Sequence, residues 1–266
     1  SKDMDFATWQ RLAQRAAHHL ARSDVSGVVV THGTDTLEET AFLLDLTLPA
    51  GKPVVLVGAM RPADAVGSDG MRNLSNAVRV AGDELAAGRG VLVVMSDQVF
   101  AAIDVRKAAT GGAEAFRGFP RGPIANVTPT SLDWFGPPDR TGRGARFDWP
   151  DGLPRVSILT AYAGMEPDAV QCALSGGAQG LVLAGLGQGN APTPVLDALA
   201  KAGVPVVRSS RVDQGSVDRN LEVDDDALGF VAARGLGPAK ARILLQVMLA
   251  NGIADPVRMQ AEFDRR

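Results

Sequence analysis

Short β-branched runs alternate along this chain with longer segments of helical spacing. The runs SGVVV (26–30), KPVVLVGA (52–59) and RGVLVVMS (89–96) predict three strands in a first block. PRVSILTAY (154–162), AQGLVLAG (178–185) and GVPVVRSS (203–210) predict three more in a second. Each is continuously apolar rather than alternating, the pattern of parallel strands buried on both faces. Between the runs lie amphipathic patterns. Phe6, Trp9, Ala13, Ala16 and Leu20 line up on one side of a helix over 5–21, and Met71, Leu74, Val78, Ala81 and Leu85 do so over 71–86. A further helix is bracketed by Pro238, which suits a first turn, and Gly252, which suits the position just past a helix end. Strand, helix, strand repetition predicts an α/β fold with right-handed crossovers.

The periodicity breaks once. GPPDRTGRGARFDWPDG (136–152) is rich in Pro, Gly and Arg, has no repeat of either kind, and reads as a linker. It divides the chain into a larger domain over 1–135 and a smaller one over 153–266, both α/β with mainly parallel sheets of flavodoxin- or Rossmann-like type.

Composition narrows the chemistry. The 266 residues are 45% hydrophobic and 21% charged, ordinary for a globular protein. A net charge of -3 offers no basic excess for a phosphate backbone, so nucleic acid is a poor partner. No apolar stretch reaches the length of a membrane span. Cys172 is the only cysteine, which excludes an intrachain disulfide and a cysteine-rich metal site. The histidines are His18, His19 and His32, and two adjacent helical ones do not share a face, which argues against a zinc site. A cysteine-poor chain fits cytoplasm and periplasm alike.

Polar side chains crowd where the first strand ends. THGTDTLEET (31–40) places hydroxyls, a carboxylate and a glycine at the carboxyl end of a parallel strand, where open sheets bind ligands. Thr36 and Glu39 match a capping box, which explains the last third of the run. Gly33, Thr34 and Asp35 are surplus to a cap. A threonine hydroxyl is a weak nucleophile until a base takes its proton, and a desolvated lysine is one such base. Lys107, in AAIDVRKAATGG (101–112) after the third strand, is a candidate, although the pattern alone favours an ordinary solvated loop lysine. In the second block AGLGQGNAPTP (184–194) misses the spacing of a dinucleotide loop, and Thr193 and Pro194 delay any helix. A flexible backbone with the amides of Gln188 and Asn190 suits a small polar ligand. The acids of LEVDDDALGF (221–230) read mostly as solvated loop charges, one of which could meet an ammonium group.

THGTDTLEET (31–40), KPVVLVGAMRP (52–62), DVRKAAT (104–110), GLGQGN (185–190), VVRSSRV (206–212) and EVDDDALGF (222–230) occur in order, and together they resemble the bacterial-type L-asparaginases over nearly the whole chain. The resemblance implies two α/β domains joined by a linker. It implies hydrolysis of the side-chain amide of L-asparagine, often of L-glutamine as well, through threonine nucleophilic catalysis without metal or organic cofactor. Thr34, Asp35 and Lys107 match the family's catalytic hydroxyl, carboxylate and lysine. Ser1 falls where the substrate α-carboxylate is bound, Gly33 belongs to the same loop, and Ala59 matches a position whose backbone carbonyl faces the side-chain amide. Asn190 and Glu222 match residues that complete the pocket from a neighbouring subunit, so the implied assembly is a dimer, usually paired into a tetramer.

Two departures from the family carry expectations. The family's Thr-Gly-Gly-Thr-Ile-type turn, with its first nucleophilic threonine, has no match, since TGG at 110–112 lies after Lys107 and continues Ala-Glu-Ala. Absence of that interior strand would expose backbone and a core face. The 266 residues are therefore expected to be a fragment, inactive alone. Lys2 stands where the family has glutamine beside the substrate's amino group, and its ammonium would repel that group unless an acid such as Glu222 neutralises it. Two other readings remain open: the amidase subunit of a tRNA-dependent amidotransferase, and a non-catalytic amino-acid-binding relative.

Overall fold

The computed structural model describes residues 1–49, 51–138 and 147–266. The chain forms two compact units, Ser1–Arg146 and Phe147–Arg266. The linker expected at 136–152 falls across their junction, and its residues 139–146 lie outside the described residues.

The first unit runs α1 (Phe6–Leu20), β1 (Val28–Thr31), α2 (Leu37–Thr47), β2 (Val54–Val57), α3 (Gly70–Ala81), β3 (Val91–Met95), β4 (Gln98–Ala101), β5 (Val105–Lys107), β6 (Phe116–Gly118), β7 (Ala125–Val127) and β8 (Leu132–Trp134). Six strands form one sheet in the order β1-β2-β3-β4-β7-β8. The three continuous valine-rich runs are its parallel part, with Val28 beside Val54 and Val54 beside Val91. The others pair antiparallel, and β5 and β6 form a separate hairpin. Every residue of β2 and β3 is buried, whereas the valines of β1, at the end of the sheet, are half-buried. Each fully buried Val or Leu contributes roughly 1.5–3 kcal/mol, so β2 and β3 anchor the layer against which α2 and α3 pack.

α1 buries Trp9, Ala13 and Ala16 as its spacing predicts, and the Asp5 carboxylate caps it by accepting from Thr8 N at 2.8 Å. The expected face of the second helix is corrected. α3 buries Asn73, Asn76, Ala77, Val80 and Ala81 and leaves Met71 and Val78 exposed. The reason is polar: the Asn73 amide donates to Gly58 O at 3.0 Å and the Asn76 amide to Asp97 Oδ1 at 2.8 Å. Buried amides satisfied this way turn the helix away from its simple apolar stripe. The expected span also shortens, with residues 84–86 in a separate 3-10 turn.

The second unit runs β9 (Val156–Thr160), α4 (Asp168–Ser175), β10 (Gly180–Gly185), α5 (Thr193–Ala200), β11 (Val206–Ser210), α6 (Asp225–Leu228), β12 (Phe230–Ala232), α7 (Pro238–Ala250) and α8 (Pro256–Asp264). Its four strands are all parallel, ordered β12-β11-β10-β9. Leu181, Leu183, Val195, Leu199, Val206 and Phe230 make a core between the sheet and α4 and α5. The expectation that Thr193 and Pro194 delay a helix fails, because α5 begins at Thr193. Proline lacks an N–H that the first turn would leave unpaired anyway, so Pro194 starts the helix rather than postponing it. α7 begins at Pro238 and ends at Ala250, with Gly252 at φ 71° just beyond. No helix of the described residues is long and apolar enough to cross a membrane.

Candidate active site

Thr31 closes β1, and His32 N still donates to Val57 O at 2.8 Å, so the sheet holds the start of the polar run in register. Residues 33–36 then cross to α2 at the carboxyl end of the parallel strands. The β5 end approaches this loop from the side. Glu38, in the first turn of α2, accepts from Lys107 N at 2.9 Å. That contact delivers the lysine side chain to the loop: Lys107 Nζ donates to Thr34 Oγ1 at 3.0 Å and to Asp35 Oδ1 at 2.6 Å. The Lys107 side chain is 20% exposed and that of Asp35 63%. The lysine ammonium, by its hydrogen bond first and its charge second, holds the Asp35 carboxyl below the usual aspartate range.

The neighbouring loop, 58–61 after β2, is built to meet this one. A Cβ on Gly58 would stand 2.8 Å from His32 O and 3.0 Å from the Thr34 methyl, so only glycine lets the two loops touch. The Asp69 carboxylate clamps the same loop, accepting from Met60 N at 3.0 Å, Arg61 N at 2.9 Å and the Asn73 amide at 2.9 Å. Burial works to raise the Asp69 carboxyl, and the Met60 and Arg61 amides outweigh it, leaving a net lowering. Ala59 lies exposed between these anchors. A cavity of about 480 Å³ opens here, lined by His32, Gly33, Ala59, Arg61, Met71 and Leu74 among others. Met71 and Leu74 of α3 therefore form part of its wall.

Ser1 sits directly on the loop. A Cβ on Gly33 would lie 2.8 Å from Ser1 Oγ, and that hydroxyl accepts from Asp35 N at 3.2 Å. The capping box expected from Thr36 and Glu39 is corrected. Thr36 occupies the cap position of α2, but its hydroxyl donates to Ser1 O at 3.0 Å and makes no cap hydrogen bond. Lys2 is exposed, in a turn closed by Met4 N donating to Ser1 O at 3.1 Å.

In the second unit the Asn190 amide donates to Glu222 Oε2 at 3.2 Å. Both loops that carry them are fastened to Arg208, whose side chain is fully buried against an equally buried Asp225. Its Nε and Nη2 donate to the two Asp225 oxygens at 2.5 and 2.6 Å, and its Nη1 to Gln188 O at 2.8 Å. The loop expected to be flexible is closed by paired bonds between Leu186 and Asn190, at 2.7 and 2.8 Å. The Gln188 side-chain oxygen accepts from Asp218 N at 2.9 Å. Of the acids in 221–230, Glu222, Asp224 and Asp226 are exposed, as expected, and Asp225 is the exception. Asp224 caps α6, Asp225 is buried, and Asp226 bonds Arg219 and Asn220; Glu222 remains exposed beside Asn190.

Two family models match this chain: "Asparaginase, N-terminal" over residues 1–140 and "Glutaminase/Asparaginase C-terminal domain" over residues 155–263. The chain belongs to the asparaginase family. It is 43% identical over 270 residues to "Probable L-asparaginase periplasmic" of Haemophilus influenzae, covering 99% of this chain and 76% of that protein. To "L-asparaginase 2" of Escherichia coli it is 42% identical, covering 100% of this chain and 77% of that protein. To "Glutaminase-asparaginase" of Pseudomonas fluorescens it is 42% identical, covering 91% of this chain and 68% of that protein. In this asparaginase-family chain the supports missed by sequence reasoning are Glu38, Gly58, Asp69, Asn73 and Arg208. Asp69 and Asn73 carried a signal, an acid four residues before an amide at a helix start. The partners of Glu38 and Arg208 are distant in sequence and left none.

Proposed function

We propose that this chain is an L-asparaginase, an amidohydrolase that converts the side-chain amide of L-asparagine to L-aspartate and ammonia. L-glutamine carries the same carboxamide one methylene further out. The observation that carries the reading is a single nitrogen, Lys107 Nζ, within 3.0 Å of Thr34 Oγ1 and 2.6 Å of Asp35 Oδ1. The relatives named L-asparaginase and glutaminase-asparaginase support it.

As an ammonium, Lys107 donates to both partners. In its neutral form the same spacing lets the nitrogen lone pair take a proton from the Thr34 hydroxyl or from a water held there. The freed oxygen attacks the amide carbon, the carbon–nitrogen bond breaks, and the proton leaves with ammonia; water then hydrolyses any threonine ester to aspartate. Asp35 keeps Lys107 in place and turns its exposed face to the substrate ammonium. Ser1 and Gly33 receive the α-carboxylate, and the Ala59 carbonyl meets the side-chain amide. Lys2 lies beside the amino-group subsite, where Glu222 offsets its charge. Asn190 and Glu222 of a neighbouring subunit complete the pocket, making a dimer the smallest active unit and a dimer of dimers the assembly. No metal or organic cofactor enters this reaction.

The resemblance also calls for a second threonine on a Thr-Gly-Gly-Thr turn, which no stretch of the 266 residues matches. Turnover is therefore expected from a form that also carries such a strand and turn, and not from the 266 residues alone. Ammonia release from asparagine and glutamine by both forms is the test. Turnover by the 266 residues alone would remove the need for a second threonine. Aspartate binding without ammonia from either form would make the protein a non-catalytic binder.

A further inference from the structure

The ring of His32 is held by a chain of hydrogen bonds whose direction follows from the atoms at its two ends. His32 Nδ1 lies 2.7 Å from Gly33 O, and a carbonyl oxygen only accepts, so Nδ1 carries the proton. At the other end the indole nitrogen of Trp9, which only donates, lies 2.8 Å from Thr40 Oγ1. The Thr40 oxygen accepts there and directs its own proton to His32 Nε2 at 2.9 Å. Neutral imidazole thus satisfies every member. An imidazolium would aim a second donor at the Thr40 oxygen and deprive the Thr40 proton of its acceptor. Burial pushes His32 the same way, lowering its pKa, against the Gly33 carbonyl, which raises it.

Trp9 and Thr40 are buried, so this chain is shielded from competing water. It ties α1 and α2 to the end of β1. Gly33 O belongs to the peptide that enters Thr34, and that unit is planar and trans, so pinning the carbonyl also fixes the direction of Thr34 N–H. We propose that Trp9, Thr40 and His32 are a positioning relay, setting the peptide plane from which the Thr34 hydroxyl and Asp35 carboxylate reach Lys107. The relay's catalytic consequence rests on the asparaginase reading; its tautomer and its hold on the loop do not.

Nitrogen-15 NMR of the 266-residue chain, which has three histidines, reads the tautomer directly. His32 is expected to show a protonated Nδ1 and a bare Nε2. Thr40→Ser should keep that pattern and the amide shifts of residues 33–35. Thr40→Val should mix the tautomers and move those amides, and Trp9→Phe, a milder change, should move them less in the same direction. In a form that turns over asparagine, Thr40→Val should lower kcat about tenfold to a hundredfold with KM little changed, and Thr40→Ser should restore it. A protonated Nε2 in the unsubstituted chain, or amides 33–35 unmoved in both Thr40→Val and Trp9→Phe, overturns the relay. If no form releases ammonia, the asparaginase reading fails while the NMR result still decides the relay.

Discussion

The loops after β1 and β10 occupy the same place in their sheets, the carboxyl end of a parallel strand, yet they are held in opposite ways. Thr34 and Asp35 are fastened by neutral, directional hydrogen bonds and by an ion pair that water still reaches. The loop before Asn190 is fastened at Gln188 O by a guanidinium whose paired carboxylate water does not reach at all. Burial penalises whichever form of a group is charged, so the proton transfer proposed for Lys107 calls for a site less enclosed than that of a guanidinium that stays charged. Arg208 serves as a strut because its charge is permanent. Lys107 is 20% exposed and bonded to Thr34 and Asp35.

The largest effect expected from this contrast is at Lys107. Lys107→Met removes the only group touching both Thr34 Oγ1 and Asp35 Oδ1 among the described contacts, and proton transfer by a positioned group is worth about 10²–10⁴-fold. In the form that turns over asparagine, kcat should fall about a thousandfold. Loss of less than tenfold would mean that this loop is not the reactive one.

The strut should break next. Asp225→Ala strands a buried guanidinium and is expected to lower stability by about 3–5 kcal/mol in urea denaturation. Arg208→Met combined with Asp225→Leu should recover most of that stability, because a buried pair is often replaceable by apolar side chains. The Asn190 loop would then lose its bonds from Arg208, and aspartate affinity should drop although the protein stays folded. A double variant that binds aspartate as before would reduce Arg208 to a purely structural residue. Smaller again is Gly58→Ala. Its methyl would press on His32 O at 2.8 Å, and overpacking of this kind costs about 1–3 kcal/mol. The loss should appear in both stability and turnover, since the clash lies between the two loops of the first unit.

Six of the seven parallel strands of the described residues were legible because each lies in an apolar run, although β1 and β9, at the ends of their sheets, are only partly buried. The three-residue strands β5 to β8 and β12 carry no period, and their pairing depends on partners elsewhere in the chain. The face of α3 was misread for a chemical reason. Asn73 and Asn76 look like surface residues, but Gly58 O and Asp97 satisfy them inside. Thr36 was misread in the same way, since a hydroxyl that fits a helix cap by spacing is drawn to Ser1 instead. Thr34, Asp35 and Lys107 could be singled out one by one as surplus polar groups. That Lys107 reaches the other two depends on Glu38 holding its backbone, a contact between residues 69 apart in sequence.

Acid gives the finest test of the difference between the loops. Lys107 holds the folded-state pKa of Asp35 below the ordinary aspartate value of 3.8, so the carboxylate form is favoured by folding. The contribution is fully present above that value and disappears as pH falls through the lower, folded one. Because Asp35 is well exposed, its effect on global stability should be slight. The local effect should be plain: carbon-13 NMR of the Asp35 carboxyl should titrate below 3.8, and Lys107→Met should return the midpoint toward that value. A midpoint at or above the ordinary value in the unsubstituted chain would mean that Lys107 and Asp35 do not form a standing pair in solution. The first loop would then be organised by its neutral hydrogen bonds alone, and the lysine would have to be brought to Thr34 by substrate.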